Sequence, residues 1–413
     1  ALLAAGLGWT SLALGSVAFA LLALAAGRWI TALCRPVPRR VPPPVPRTLS
    51  YRWSRTVQRR PWMWLGAATV LLALVASPAL GLQLGWADEG NFPEDSSTRQ
   101  AYDLMADGFG PGFNGPLLVT MVAGAAGSPQ ATVAGGFPAE VEALHDALAA
   151  TPGVAAVTAP MADAEDDPGA YTMTVVPDTA PQDEATTALV RTLRAEVIPP
   201  ASGDLEVFVS GGAAAALDVT DHLSGRLPVV FAAVLGVSFV VLMMVFRSVL
   251  VPLKAVAMNL ASIAAAYGVV VAAFGWGWGG GVLGIEAGPI NPFVPLMLFA
   301  VLFGLSMDYE VFLLSRIREE YERTGDAVTS VADGLASTAK VITAAAAIMV
   351  VVFGSFLLEE IREVKLFGLG LGVAVLVDAT VVRMIVAPAS MELLGERNWW
   401  MPRWLDRTIP RLT

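Results

Sequence analysis

The sequence predicts an α-helical membrane protein, a bundle of about seven spans that carries one inserted, water-exposed α+β domain. Three observations predict it. Hydrophobic residues make up 55% of the 413 and charged residues only 15%, where a soluble domain carries about a quarter charged. Seven apolar stretches are long enough for a bilayer, which needs roughly 20 residues in a helix; they lie near 5–27, 62–84, 228–246, 249–274, 292–315, 341–358 and 367–390. One stretch among them, 85–225, is long and polar enough to be a domain in water.

The chain opens without Met, inside the apolar run that ends at Arg28. A signal peptide would begin with a charged segment and end at a small-residue cleavage site, so 1–27 is expected to be the last helix of a first half that lies elsewhere. Stretch 28–60 holds nine arginines and no acid, which by the positive-inside rule makes it cytoplasmic. Its PVPRRVPPPVPRT core reads as a semi-rigid extended linker. Polybasic linkers also bind anionic headgroups, but topology alone accounts for these charges.

Stretch 85–225 has the opposite balance, 21 acidic residues against Arg99, Arg191 and Arg194. Crossing at 62–84 puts it outside the cytoplasm. The shorter loops agree, with Arg247, Lys254 and RIREEYER (316–323) inside, the Gly-rich 275–290 outside as a flexible loop, and the Arg-bearing tail 396–413 inside. Within the external stretch, PLLVTMVA (116–123), GVAAVTAP, AYTMTVVP and LEVFVSG (205–211) read as strands. PAEVEALHDALAA (138–150) reads as a helix, with Val141, Leu144 and Leu148 spaced three and four apart. DEATTALVRTLRAEVI (183–198) is a second helix. The order β-α-β-β-α-β is the split, ferredoxin-like motif. The acidic run Glu165–Asp167 ends in Asp-Asp-Pro-Gly, which is turn chemistry rather than a cation site.

The residues that point to chemistry lie in NPFVPLMLFAVLFGLSMDYEVFLLSR. Asp308 follows an apolar run from Pro292 to Met307 and precedes Arg316 by eight residues, so it sits roughly 12 Å below the cytoplasmic boundary. A carboxylate there costs several kcal/mol on insertion scales, and such residues usually face the protein interior and serve function. It is a candidate proton carrier, with the Tyr309 hydroxyl beside it. Gly304, Asp308 and Phe312 lie four apart, so a neighbouring helix can approach this face closely; Ser306 adds a polar group to the same segment. Gly370, Ala374 and Asp378 repeat the small-small-acid spacing, which makes Asp378 a second buried carboxylate, read either as a helix tie or as a neighbour of the Asp308 face. Glu310 lies about 200° around the helix from Asp308 and is expected to meet another helix or a polar cavity. Arg383 is expected to snorkel to the cytoplasmic interface.

Energy is expected from the proton gradient, with no cofactor: no G-x-x-x-x-G-K-[ST] phosphate loop occurs, and none of the three lysines follows a glycine. Two histidines and the single Cys34 cannot build a usual zinc site, and one cysteine supports no disulfide framework. Three lysines among 26 basic residues, with Ala and Gly abundant, hint at a GC-rich genome.

GLSMDYEVFLLSRIREEY (304–321) closely resembles the signature helix of the MmpL transporters of the resistance-nodulation-division (RND) superfamily. RPWMWLGAATVLLALVASPALGLQLGWADEGNFPEDSSTRQAYDLMADGFGPGFNGPLLV (60–118), KLFGLGLGVAVLVDATVVRMIVAPASMELLG (365–395) and NWWMPRWLDR (398–407) look like the same family, so the likeness covers nearly all of 60–410. It implies twelve helices in two similar halves, each with a ferredoxin-like external porter domain. On that template this chain is the sixth helix, the central linker and the second half. Asp308 and Tyr309 match the family's second-half Asp-Tyr relay, whose first-half counterpart does not occur in these 413 residues.

The expected function is proton-driven export of lipids or other hydrophobic metabolites across the cytoplasmic membrane. The partners are then the substrate, the bilayer, and the first half of the same transporter or a second copy; no nucleic acid is expected. The alternative is a non-transporting partner in envelope assembly or protein export, acting through 85–225. An enzyme is not expected, since no external Ser/His/Asp set or metal-ligand cluster lies near the bilayer.

Overall fold

The computed structural model describes residues 48–123, 137–163 and 170–408, together with positions 15, 18, 21, 22 and 25. Most of the expected span near 5–27, the linker core 36–47 and the acidic run Glu165–Asp167 lie outside the described residues. The last third of the basic linker is not extended. It forms helix α1 (Leu49–Arg59), whose N-cap Thr48 accepts a hydrogen bond from the Tyr51 amide. Pro at the first helical position then starts α2 (Pro61–Ala76), which a 3₁₀ turn carries on to Gly81.

An amphipathic helix, α3 (Ser97–Phe109), capped by Ser96, leads into the sheet domain. Its elements are β1 (Leu117–Ala123), α4 (Ala139–Ala149), β2 (Val154–Val157), β3 (Met161–Ala162), β4 (Ala170–Pro177), α5 (Glu184–Thr192, running on to Ala201) and β5 (Leu205–Gly211). The strand order is β2-β4-β1-β5, antiparallel throughout, with the two-residue β3 added beside β4. Period-two alternation sets the two faces. Leu117, Val119, Met121, Met173 and Val175 point to one side and are buried against Val141, Leu144 and Leu148 of α4 and Leu189, Val190 and Leu193 from α5 onward. On the other side Leu118, Val122 and Phe208 are exposed, so the helices cover one face only.

The chain enters the bundle without a loop. Gly211, at φ 110°, makes the corner, and α6 (Gly212–Phe246) starts at once, well before the apolar run expected near 228. The bundle continues with α7 (Leu250–Val270, extended to Gly275), α8 (Phe293–Thr324), α9 (Ala327–Ser355) and α10 (Arg362–Val377, extended to Leu394). Among the described residues six helices are long and apolar enough to cross a membrane: α2, α6, α7, α8, α9 and α10, each taken with its extension. Small residues let them touch. A Cβ at Gly268 would stand 1.9 Å from the Val75 carbonyl oxygen, which fixes how closely α7 rides on α2.

The Gly-rich loop after α7 is organised rather than flexible. It holds a helical turn, Gly280–Leu283, and the Arg362 guanidinium donates to the carbonyls of Phe274, Gly288 and Pro289. An arginine at the start of α10 thus ties the end of α7 and the loop after it to one point.

Candidate functional site

Helix α8 is unbroken through 293–324, so its 3.6-residue period sorts its polar groups by direction. Met297, Val301, Gly304, Asp308 and Phe312, spaced three or four apart, form one exposed stripe along the helix. A Cβ at Gly304 would meet nothing within 4 Å. The close helix contact expected at Gly304 is therefore not made among the described residues, and Asp308, expected to be buried, lies on an open face of this chain.

Ser306, Tyr309 and Glu310 point into the protein. The Ser306 hydroxyl donates to Asn259 Oδ1 of α7 at 2.6 Å, and its carbonyl accepts from Arg383 at 2.6 Å. The Tyr309 ring lies under the Arg383 guanidinium, 5.1 Å from its centroid, in cation–π range, and its hydroxyl reaches Met349 Sδ at 3.7 Å. Glu310 is only 6% exposed. Lys254 and Arg383 are the cations that act on it, and Asp378 is a like charge in the same neighbourhood.

Asp378 and Arg383 form a buried ion pair, Nε and Nη2 both within 2.9 Å of Oδ2. The pair exists because of local geometry. Five residues apart on an α-helix lie about 140° apart, too far to meet. From Asp378 to Val386 the backbone instead adopts the wider π-helical turn, with its i→i+5 bonding, a form that recurs at functional sites. That widening brings Asp378 and Arg383 to one side. Arg383, expected to snorkel, is 3% exposed and ties α10 to α8 through Ser306. Asp378 is thus adjacent to Ser306 and Tyr309, on the inner side of α8 rather than on the Asp308 stripe.

These groups line one narrow cleft, bounded by Asn259, Ser306, Tyr309, Met349, Asp378 and Arg383 among others. Asn259 Nδ2 and Arg383 Nη1 are buried there without a hydrogen-bond partner among the described residues, leaving two donors free for water. Lys254, expected in a cytoplasmic loop, sits in the second turn of α7 with Nζ buried and unpartnered. Asn259, Lys254 and Arg383 were legible as polar residues inside apolar helices, but not their partners.

The end of the bundle next to the sheet domain has its own constellation. Asp88 accepts from Tyr102 at 2.8 Å, and burial holds its carboxyl above the usual range despite that bond. Arg99 pairs with Asp103 and Glu286 and donates to Gly90 O, joining α3 to the loop before α8. A cavity of about 1310 Å³ opens between the sheet domain and the helix ends, lined by Trp86, Gln182, Asp183, Thr187, Arg191 and Thr220 among others.

Comparison with known proteins agrees with this layout. The MMPL family profile matches residues 92–411. The chain is 38% identical to the membrane protein YdfJ of Bacillus subtilis, over 87% of this chain and 48% of the relative. It is 36% identical to the mycolic acid-containing lipids exporter MmpL11 of Mycolicibacterium smegmatis, over 87% of the chain and 37% of the relative. It is 31% identical to the trehalose monomycolate exporter MmpL3 of the same organism, over 87% and 36%. The chain thus spans about half or less of the length of these relatives. A profile match over most of the chain, on a bundle with six membrane-length helices, shows that this multi-pass protein of the cytoplasmic membrane belongs to the MMPL family of RND transporters.

Proposed function

We propose that this chain is part of a proton-driven exporter of lipids or other hydrophobic metabolites, in which Asp308 and Tyr309 carry the proton. The observation that carries the reading is the Asp308 stripe. A carboxylate inside a membrane-length helix is costly unless it meets protein or water, yet here it stands on an open, otherwise apolar face. That face is complete only against further helices. We assign them to the other half of the same transporter or to a second copy of this chain. Relatives about twice as long or longer support the first assignment.

On this reading 85–225 is the external porter domain, and its β-α-β-β-α-β order with a β2-β4-β1-β5 sheet supports the ferredoxin-like assignment. Its acidic balance and the arginines of 28–60 support placing it outside and the linker inside. Protonation of Asp308 changes the charge between two packed helix sets. Tyr309, on the next residue, faces the Arg383–Asp378 pair, so the change is passed to α10. The rigid α6, continuous from Gly212 at the sheet to Phe246, carries motion between bundle and porter domain. The names of two relatives, exporters of mycolic acid-containing lipids and of trehalose monomycolate, support a lipid-like substrate. Membership in a transporter family does not favour the alternative of a pure binding partner.

The test is transport by the intact exporter in proteoliposomes under an imposed pH gradient. Asp308→Asn is expected to remove gradient-dependent transport while leaving the thermal transition in place. Full-rate transport by a folded Asp308→Asn protein would falsify the relay.

A further inference from the structure

Helix α1 has two distinct sides. Ser54, Val57 and Gln58 are buried against the bundle, and two long-range bonds fix the seating: Gln58 Nε2 donates to Val328 O and Trp53 Nε1 to Met384 O. The opposite arc, about 120° wide at 100° per residue, carries Leu49, Arg52, Trp53, Thr56 and Arg59, all exposed, with Arg60 at its end. The guanidinium groups of Arg52, Arg59 and Arg60 have no ion pair or hydrogen bond among the described residues. Arg55, on the inner flank, is instead bonded to Gln58 and faces Asp326 and Glu392.

The position of this arc is set by the chain itself. Arg60 is a sharp corner (φ −139°, ψ 61°), and the next residue, Pro61, already begins membrane-length α2. In the first turn of α2, Trp62 is 75% exposed and Met63 51%; exposed Trp at that level is an interfacial anchor. Arg60 is thus joined by one peptide bond to a membrane-length helix, Arg59 directly precedes it, and Arg52 stands about two turns back on the same exposed arc. A helix seated by two tertiary bonds keeps them there.

We propose that the outer face of α1 binds anionic phospholipid headgroups, through Arg52, Arg59 and Arg60 with Trp53 and Trp62 as flanking anchors. The assignment of this surface to the cytoplasmic leaflet rests on the orientation given above, but the binding does not. Charge complementarity selects the occupant: three fixed cations without a protein counter-ion attract a phosphate-bearing, net-negative surface. A guanidinium also matches phosphate oxygens bidentately, which a zwitterionic headgroup with its own ammonium rewards less.

The experiment titrates the full chain, purified in neutral detergent, with micelles containing phosphatidylglycerol or phosphatidylcholine, and counts bound lipid by native mass spectrometry. The wild-type chain is expected to prefer phosphatidylglycerol. The triple change Arg52→Gln, Arg59→Gln, Arg60→Gln is expected to lose roughly 100-fold of that affinity, about fivefold per arginine. The triple Lys variant is expected to keep most of it. Thr56→Glu, which puts a negative charge in the middle of the same arc, gives an independent loss should the glutamine chain not fold. A glutamine or Thr56→Glu chain that binds phosphatidylglycerol within about twofold of wild type, or equal binding of phosphatidylcholine, overturns the proposal. Displacement of the lipid by excess inorganic phosphate would also overturn it, by showing a free-phosphate site instead. Transport can fail in Asp308→Asn with this binding intact, so the two readings are tested apart.

Discussion

Two faces of the bundle carry the same small-small-acid spacing and end in opposite surroundings. On α8, Gly304 has nothing within 4 Å of a would-be Cβ, and Asp308 one turn on is exposed. On α10, a Cβ at Gly370 would press on both δ-carbons of Leu298 at 3.0 Å, and Asp378 is 8% exposed and paired to Arg383. The difference teaches that the spacing specifies a groove and an acid, not a role. Where a helix fills the groove, the acid acquires a partner and becomes a tie between α10 and α8. Where the groove is open, the acid is left on the outer face with no partner among the described residues.

The sharpest way to break this comparison is to strip the tie. Arg383→Leu leaves the Asp378 carboxylate buried without its cation, and is expected to destabilise the chain by about 3–5 kcal/mol. Adding Asp378→Leu to it should restore much of that, since replacing a whole buried pair by apolar groups is often neutral. A double variant as unstable as the single one, in detergent thermal melts, would show that the two residues do not act as a pair. Next in size, Gly268→Ala forces α7 away from the Val75 carbonyl of α2, an overpacking cost of about 1–3 kcal/mol and a lower Tm. The same substitution at Gly304 meets open space and should move stability by no more than about 0.5 kcal/mol. A large loss there in the isolated chain would mean that the α8 stripe is already packed.

Another small effect belongs to the sheet domain. The Arg194 guanidinium holds the Asp218 carboxyl below its usual range, so the pair contributes stability above the unfolded carboxyl's pKa of about 3.9. That contribution fades as pH falls through the lowered folded value. Because both side chains are partly exposed, Arg194→Gln should cost less than about 1 kcal/mol at neutral pH. A pH titration of Tm should show the wild-type and variant curves converging in acid; curves that stay parallel would assign the difference to another contact.

The sheet domain was the easier part to read. Strand and helix periods are local properties, so 205–211 and 138–150 could be placed from Leu205–Gly211 and from Val141, Leu144 and Leu148 alone. The candidate site was less legible for a specific reason. Asp378 and Arg383 meet only through a π-helical turn, and an α-helical wheel separates them. Lys254 read as a loop charge by topology, yet α7 begins four residues earlier and buries its amine. The basic linker read as extended because its prolines dominate 36–46, while LSYRWSRTVQR, free of proline, seats on α9 and α10 as α1.

Composition and hydrophobic run length determined by themselves that this chain lives in a bilayer, because a bilayer imposes one length scale on every span. The charge asymmetry of 28–60 and 85–225 set the expected orientation, and the Asp-Tyr-Glu run marked the helix proposed to carry the relay. Which carboxylate is tied and which stands open was decided only by the tertiary structure. Burial and pairing depend on what another helix places opposite, and a single residue's shift in helical register, as at Asp378, changes that neighbour without changing a letter of the sequence.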